Sequence, residues 1–212
     1  MKVRYKDYKM ILEEVSEIND DIMLNKRFTN VTFKKNIIGT SFDNCEFINC
    51  TFECAIKRAT FFNCKFEKCE MSNIILEDVG IHSTLFQNNH AVGTNYIGCN
   101  IKNTIFNNSH MKLSIFSGVV FKSVDIIECN MSQSNITSTS FESEIVFDHS
   151  ELLEMEVLGS SLKSVDVTTS RIEGLVISPE DVKGLIVTEA QAIDLISLLG
   201  VVIKWLQLFL TN

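Results

Sequence analysis

The chain has 212 residues, 27 acidic and 19 basic, for a formal net charge of −8. That balance argues against a basic nucleic-acid-binding surface, and a single proline with nine glycines excludes collagenous or proline-rich character. The length suits one domain. The first ten residues are polar and charged, without the apolar core of a secretory signal, so a cytoplasmic location is the expectation.

Taken from the amino terminus, residues 5–18 place Tyr8, Ile11, Leu12, Val15 and Ile18 at helical spacing among Lys and Glu. This predicts a short amphipathic helix within a cap spanning 1–27. Phe28, Phe33, Phe42, Phe47 and Phe52 then recur at or near every fifth position. The steps from 33 to 42 and from 52 to 61 fall one residue short; Ile37 or Ile38 and Ile56 are expected to fill them, with a small bulge or loop over 53–60.

From Phe61 to Phe141 a residue such as Phe66, Leu76, Phe86, Phe106 or Phe121 occupies every fifth position without a slip. One extra residue follows, and the period resumes at Phe147 and continues to Val187. Over 61–141, two residues before each centre stands a small or β-branched side chain, for example Cys64, Cys69, Thr84, Thr104 or Ser114, Asn89 being the one clearly polar case; farther on, Glu180 occupies such a position. Five is neither a helical period nor that of a flat strand. If positions i and i−2 both point inward, each five residues give a core one large and one small side chain. No charged residue occupies an i position between 61 and 187, although 22% of the chain is charged. All seven cysteines fall at i−2 once Ile56 counts as a centre, without paired metal-ligand spacing, so they read as reduced core thiols.

After Val187, Ala190 to Leu199 reads as a helix stopped by Gly200, and an apolar tail follows. Asp194, Gly200, Lys204 and Gln207 interrupt it, which disfavours a membrane span; the lack of a basic face disfavours peripheral attachment. A two-fold homodimer seam through Ile193, Ile196, Leu199, Val202, Trp205, Leu206 and Phe209 is the expectation for residues 188–212. A tail folded only on its own chain is the alternative.

Over 28–187 the pattern resembles the pentapeptide-repeat family. The resemblance implies an all-β fold, a right-handed quadrilateral β-helix with four pentapeptides per coil and about eight coils, plus short terminal helices. Residues about twenty apart would stack at one strand spacing, ~4.8 Å. Two stretches narrow the likeness. Asn89-His90-Ala91-Val92-Gly93-Thr94-Asn95-Tyr96 is similar to a coil of the quinolone-resistance (Qnr-type) branch. Ser170 to Ile177, Val182 to Val187, Gln191-Ala192 and Leu198-Leu199-Gly200 are similar to its last coil and carboxy-terminal helix. What that branch implies is a homodimer, joined through its carboxy-terminal ends, that imitates DNA. It would bind the type II topoisomerases DNA gyrase and topoisomerase IV and protect them from fluoroquinolones. No long insertion interrupts 61–141, where some members carry a projecting loop.

The charge distribution bears on the DNA-mimic reading independently. Residues 1–78 hold 13 acidic and 12 basic side chains, 79–124 hold only Lys102, Lys112 and Lys122, and 125–212 hold 14 acidic against 4 basic. In the repeat register Asp125, Asp148 and Asp166 flank one column, Glu151, Glu154 and Glu173 the next, and Glu128 the turn between. These seven are the candidate topoisomerase-binding surface; the plainer reading is that they keep a β-rod soluble. His90 and His110 should stack, with Glu70 one coil before and Asn130 one coil after, but lack a third metal ligand. No nucleophile, base and orienter assemble in the register, so neither enzymatic activity nor a cofactor is expected, and no direct contact with nucleic acid or membrane. The alternative to a topoisomerase-binding mimic is a structural or interaction rod with a different protein partner.

Overall fold

The computed structural model describes residues 11–196 together with Leu198 and Val201. The chain winds as a parallel β-solenoid of about eight turns with one short helix, Glu189–Ile196. Each coil has four short sides, and parallel pairing stacks most sides on their counterparts in the next coil.

Four inward columns result, named here by their first central residue. The Met23 column rises through Phe42, Phe61, Ile81, Ile101, Phe121 and Phe141. The Phe28 column runs through Phe47, Phe66, Phe86, Phe106, Ile126 and Phe147. The Phe33 column begins with Phe52, and the Ile37 column contains Ile56, Leu76, Tyr96, Phe116, Ile136, Val157 and Ile177. Because rings in one column sit one strand spacing apart, they stack face to face: Phe47–Phe66 at 4.6 Å and 8°, Phe66–Phe86 at 4.7 Å and 6°, Tyr96–Phe116 at 4.7 Å and 5°.

The i−2 side chains do more than fill space. Many of the polar ones lie buried beside a main-chain carbonyl of the preceding coil and donate to it. Cys45 Sγ reaches Met23 O at 3.2 Å, Thr94 Oγ1 reaches Met71 O at 2.7 Å, and Ser114 Oγ reaches Ala91 O at 3.0 Å. Cys, Ser and Thr interchange there because each is small and can donate, while Ala59, Val79, Val119 and Val124 fill the same position without donating. Asn89 obeys the same rule: Nδ2 donates to Phe66 O at 3.0 Å while Oδ1 accepts from Cys69 N at 2.8 Å. The seven thiols are free and buried, as expected, and burial pushes Cys99 up to about 12 and Cys129 to about 11.

The corners depend on left-handed backbone two residues after most centres. Asn takes many of these positions, including Asn25, Asn44, Asn63, Asn73 and Asn108, with φ between 46° and 58°, since its short polar side chain tolerates that region. At Gly98, φ +60°, a Cβ would also lie 2.6 Å from Asp78 Oδ1 of the coil below, so a side chain there would displace that carboxylate as well as meet the left-handed backbone.

Several boundaries differ from the sequence expectation. Within 11–18 there is no helix; Glu13–Glu14 forms a strand pairing with Lys26 and Arg27, and Val15 and Ile18 pack partly against the core. Tyr8 lies outside the described residues. The coils begin before Phe28, since Ile22–Leu24 already pairs with Ser41–Asp43. The interval 53–60 is neither bulge nor loop. Ile37 and Ile56 are the centres, buried at 3% and 0%, while Ile38 is 50% exposed. The first two coils simply advance 19 residues, Met23 to Phe42 and Phe42 to Phe61. Their short sides follow Phe33 and Phe52, and neither residue 35 nor 54 adopts the left-handed corner conformation. Dropping one residue drops that corner device. The extra residue after Phe141 appears as a register shift: Lys122 pairs with Glu142 but Val124 with Ile145.

Replacing Phe66, buried to 1% in its stack, by Ala should cost about 3–5 kcal/mol in urea unfolding. Replacing its sequence neighbour Phe62, 44% exposed on the outer surface, should cost less than about 1 kcal/mol. Equal costs would contradict the assigned inward register.

Candidate functional site

The sequence-predicted acids occupy two adjacent faces of the later coils, the outer surfaces of the Phe28 and Phe33 columns. Strand alternation directs i−1 and i+1 side chains outward, and the left-handed corner residue projects between faces. Asp148 follows Phe147 and Asp166 precedes Val167 on the Phe28 face. Glu151 and Glu173 flank Leu152 and Ile172 on the Phe33 face. Glu128 and Glu154 are corner residues with φ near 52°. Glu128, Glu154, Asp166 and Glu173 are exposed, and Asp148 and Glu151 are half-buried.

Asp125 does not belong with them. It pairs between Ile105 and Val146 and is buried at 2%. Two branched apolar neighbours bracket it, and the register shift between Lys122 and Val124 lies beside it, so an outward direction there does not lead to solvent.

The acidic side chains are held by the coil beneath them. Asn130 Nδ2 donates to Glu151 Oε2 at 2.7 Å, Gln133 Nε2 to Glu154 Oε2 at 2.7 Å, and Asn135 Nδ2 to Glu156 Oε2 at 3.1 Å. One coil of amides thus supports the next coil of carboxylates, so neutral donors rather than ammonium groups hold three charges. The Asn130 amide is oriented because its Oδ1 accepts from Ser132 N at 3.0 Å. Asp148 Oδ1 is bound by Thr169 Oγ1 at 3.1 Å and His149 Nδ1 at 2.7 Å, and Asp166 Oδ1 accepts from Thr168 N at 2.9 Å.

Sequence reasoning missed Arg171. It stands one coil above Glu151, 3.7 Å away, and 3.3 Å from Glu173. Its cation lowers the local charge where the acidic columns would otherwise be unbroken. Counting twenty-one residues upward in the register from Asn130 and twenty from Glu151 would have found both contacts. The amino-terminal coils, by contrast, neutralise their acids directly, as in Arg27–Glu46 at 2.8 Å and Lys57–Glu77 at 2.7 Å. Lys57 accordingly holds the Glu77 carboxyl below its ordinary range.

The histidine ladder is as the register implied: Glu70, His90, His110 and Asn130 bridge in succession, with the two rings 5.7 Å apart. Among the described residues no group of three or more His, Cys, Asp or Glu could hold a metal ion, and no helix is long and apolar enough to cross a membrane. Of the expected seam, Ile193 is exposed on the terminal helix, and Ile196 lines a hollow with Ile177 and Val187. Leu199, Val202, Trp205, Leu206 and Phe209 lie outside the described residues.

Residues 97–133 match the sequence profile of pentapeptide repeats, in eight copies. The chain carries pentapeptide repeats. Among solved structures it is similar to QnrB1, described as a plasmid-mediated fluoroquinolone resistance protein, at 20% identity over 85% of this chain and 90% of that one, TM-score 0.48. It is also similar to the pentapeptide-repeat protein Rfr23 of the cyanobacterium Cyanothece 51142, at 13% identity over 42% and 60% of the two chains, TM-score 0.39. HetL, a pentapeptide-repeat protein involved in heterocyst differentiation regulation in Nostoc sp. strain PCC 7120, matches at 9% identity over 77% and 85%, TM-score 0.37. No curated protein sequence matches the chain.

Asn130→Asp sets a carboxylate directly beneath Glu151 and removes its hydrogen bond. The variant should lose about 1 kcal/mol of stability in urea, and salt at about 0.5 M should restore part of it. A loss unaffected by salt would show that Glu151 is not held electrostatically.

Proposed function

We propose that this protein is a DNA mimic that binds DNA gyrase and topoisomerase IV and protects them from fluoroquinolones, acting as a homodimer joined through its carboxy-terminal ends. The observation that carries this reading is the placement of charge. Glu128, Asp148, Glu151, Glu154, Asp166 and Glu173 project from two adjoining faces of a rigid rod, near the helix Glu189–Ile196.

A solenoid spaces outward carboxylates by one strand separation, ~4.8 Å, along each column. Duplex DNA carries one charge per ~1.7 Å, so the protein imitates a dilute duplex. Such a surface suits a basic DNA-binding saddle, with association steered by charge and weakened by salt. Arg171 and the burial of Asp125 reduce the density further. The description of QnrB1 as a fluoroquinolone resistance protein is in keeping with this reading, as are the Qnr-like stretches at 89–96 and 170–200.

A second reading, an interaction rod with a different protein partner, draws on the Ile37 face. Ile97 and Ile115 are each 40% exposed there, in the segment between Asp78 and Asp125 that holds no acidic side chain. A contact through that face would be apolar and insensitive to salt.

In a supercoiling assay with gyrase and a fluoroquinolone, the protein should restore supercoiling at micromolar or lower concentration, and excess protein should inhibit the enzyme. Replacing Asp148, Glu151 and Glu154 together by Lys should abolish restoration while leaving the thermal transition in place. Failure to restore with either topoisomerase would overturn the proposal; restoration by the triple variant would move the site elsewhere.

A further inference from the structure

The ladder that joins coil to coil is broken at one place. Above the coil containing Phe141, three faces continue to the next turn: Val146 pairs with Asp166, Glu151 with Arg171, and Glu156 with Val176. On the Met23 face, among the described residues, Ser140, Phe141 and Glu142 pair with Val120, Phe121 and Lys122 below and with no strand above. Among the same residues, no backbone hydrogen bond crosses from 140–143 to 160–164. In regular coils the central N–H and the corner N–H donate upward, as Met71 N does to His90 O and Asn73 N to Val92 O. The equivalent groups here, Phe141 N–H and Ser143 N–H, face the break.

The cause is the extra residue. It shifts the register between Lys122 and Val124 and leaves Ser143 and Glu144 exposed, Ser143 with φ +66°. The coils meet again on either side. At one end Ser160 Oγ accepts from Thr139 N at 2.9 Å, and at the other Val146 pairs with Asp166. Between them lies a cleft of about 840 Å³, lined by Ser140, Phe141, Ser143 and Glu144 on one side and by Ser161 and Lys163 on the other. Phe141 is only half-buried, whereas Phe42, Phe61, Ile81, Ile101 and Phe121 of the same column are buried.

We propose that this cleft binds a short extended peptide segment of a partner protein, which adds as a strand to the open edge at 140–143. An unpaired strand edge is a template for another chain, and the exposure of Ser140 and Ser143 leaves this edge within reach of one. Four edge residues span ~13 Å, so the bound segment is about four residues long and must enter and leave from the outer side. Its central side chain is large and apolar, to cover the exposed part of Phe141. Glu144 and Lys163 set opposite charges on the two rims. The cleft lies on the face opposite the Phe33 column and is separate from the acidic surface, so its occupancy and topoisomerase binding are independent.

The test uses the full chain and an acetylated, amidated peptide copying residues 119–124, Val-Val-Phe-Lys-Ser-Val, the strand that already pairs with the other edge of Ser140–Asp148. Amide hydrogen exchange at Phe141 and Ser143 should be fast in the free protein and slow by about tenfold or more with excess peptide. A version N-methylated at alternate residues should give no slowing. The proposal is overturned if these amides are already as protected in the free protein as that of Leu152, which donates to Arg171 O at 2.8 Å. It is equally overturned if the peptide has no effect at millimolar concentration, if the N-methylated peptide acts equally well, or if glycerol alone reproduces the protection.

Discussion

Everything in this rod depends on one requirement: each coil must satisfy its backbone within a bore only two side chains deep. Outward and upward main-chain groups are met by the parallel ladders, but a carbonyl beside each centre points toward the core. At many corners a small donor at i−2 meets it, as Cys50 Sγ meets Phe28 O at 3.3 Å and Ser150 Oγ meets Ile126 O at 3.2 Å; at others, such as Ala59, Val79, Val119 and Val124, a small or branched apolar side chain fills the same space. An unmet buried carbonyl would cost about 1–3 kcal/mol, so the donors matter where they occur. The five-residue alternation of large apolar and small side chain is the solution repeated along the chain. Stacked rings such as Phe86–Phe106, 4.7 Å apart, are its consequence.

This requirement made much of the fold legible in the sequence. A period tied to the core shows directly in residue type, so the columns, the stacking of His90 on His110 and the inward thiols could all be read. What failed to show was anything set by corner geometry or by neighbours in adjacent coils. Ile37 and Ile38 are chemically alike, and only closure of a 19-residue coil selects Ile37. The recurrent Asn at left-handed corners was visible as a pattern, but the periodic argument looked only at the inward positions. Residues 11–18 carry a helical spacing of apolar side chains, yet Glu13–Glu14 is drawn into the open edge of the first full coil, where ladder hydrogen bonds outweigh local preference.

The candidate site was legible to the same degree and for the same reason. Outward positions follow from the register, so Glu128, Glu154, Asp166 and Glu173 were placed on the surface correctly. Asp125 was misplaced because burial of an outward residue depends on its neighbours above and below, Ile105 and Val146, and on a register shift nearby. The amide supports under Glu151, Glu154 and Glu156 likewise required pairing coil with coil. Those supports give the acidic faces their character: Gln133 and Asn135 hold Glu154 and Glu156 without neutralising them, while Glu151 meets both the Asn130 amide and the Arg171 cation. The same extra residue that shifts the register also opens the Met23 face, so one insertion separates the regular rod from its acidic carboxy-terminal turns.

The central claim is that these turns occupy the place of duplex DNA on a basic protein surface. Its most direct measurement is competition between labelled duplex DNA and this protein for gyrase, followed over a series of salt concentrations. The account predicts mutually exclusive binding, with the protein's affinity falling steeply as salt rises. Simultaneous binding of protein and DNA, or an affinity indifferent to salt, would contradict it.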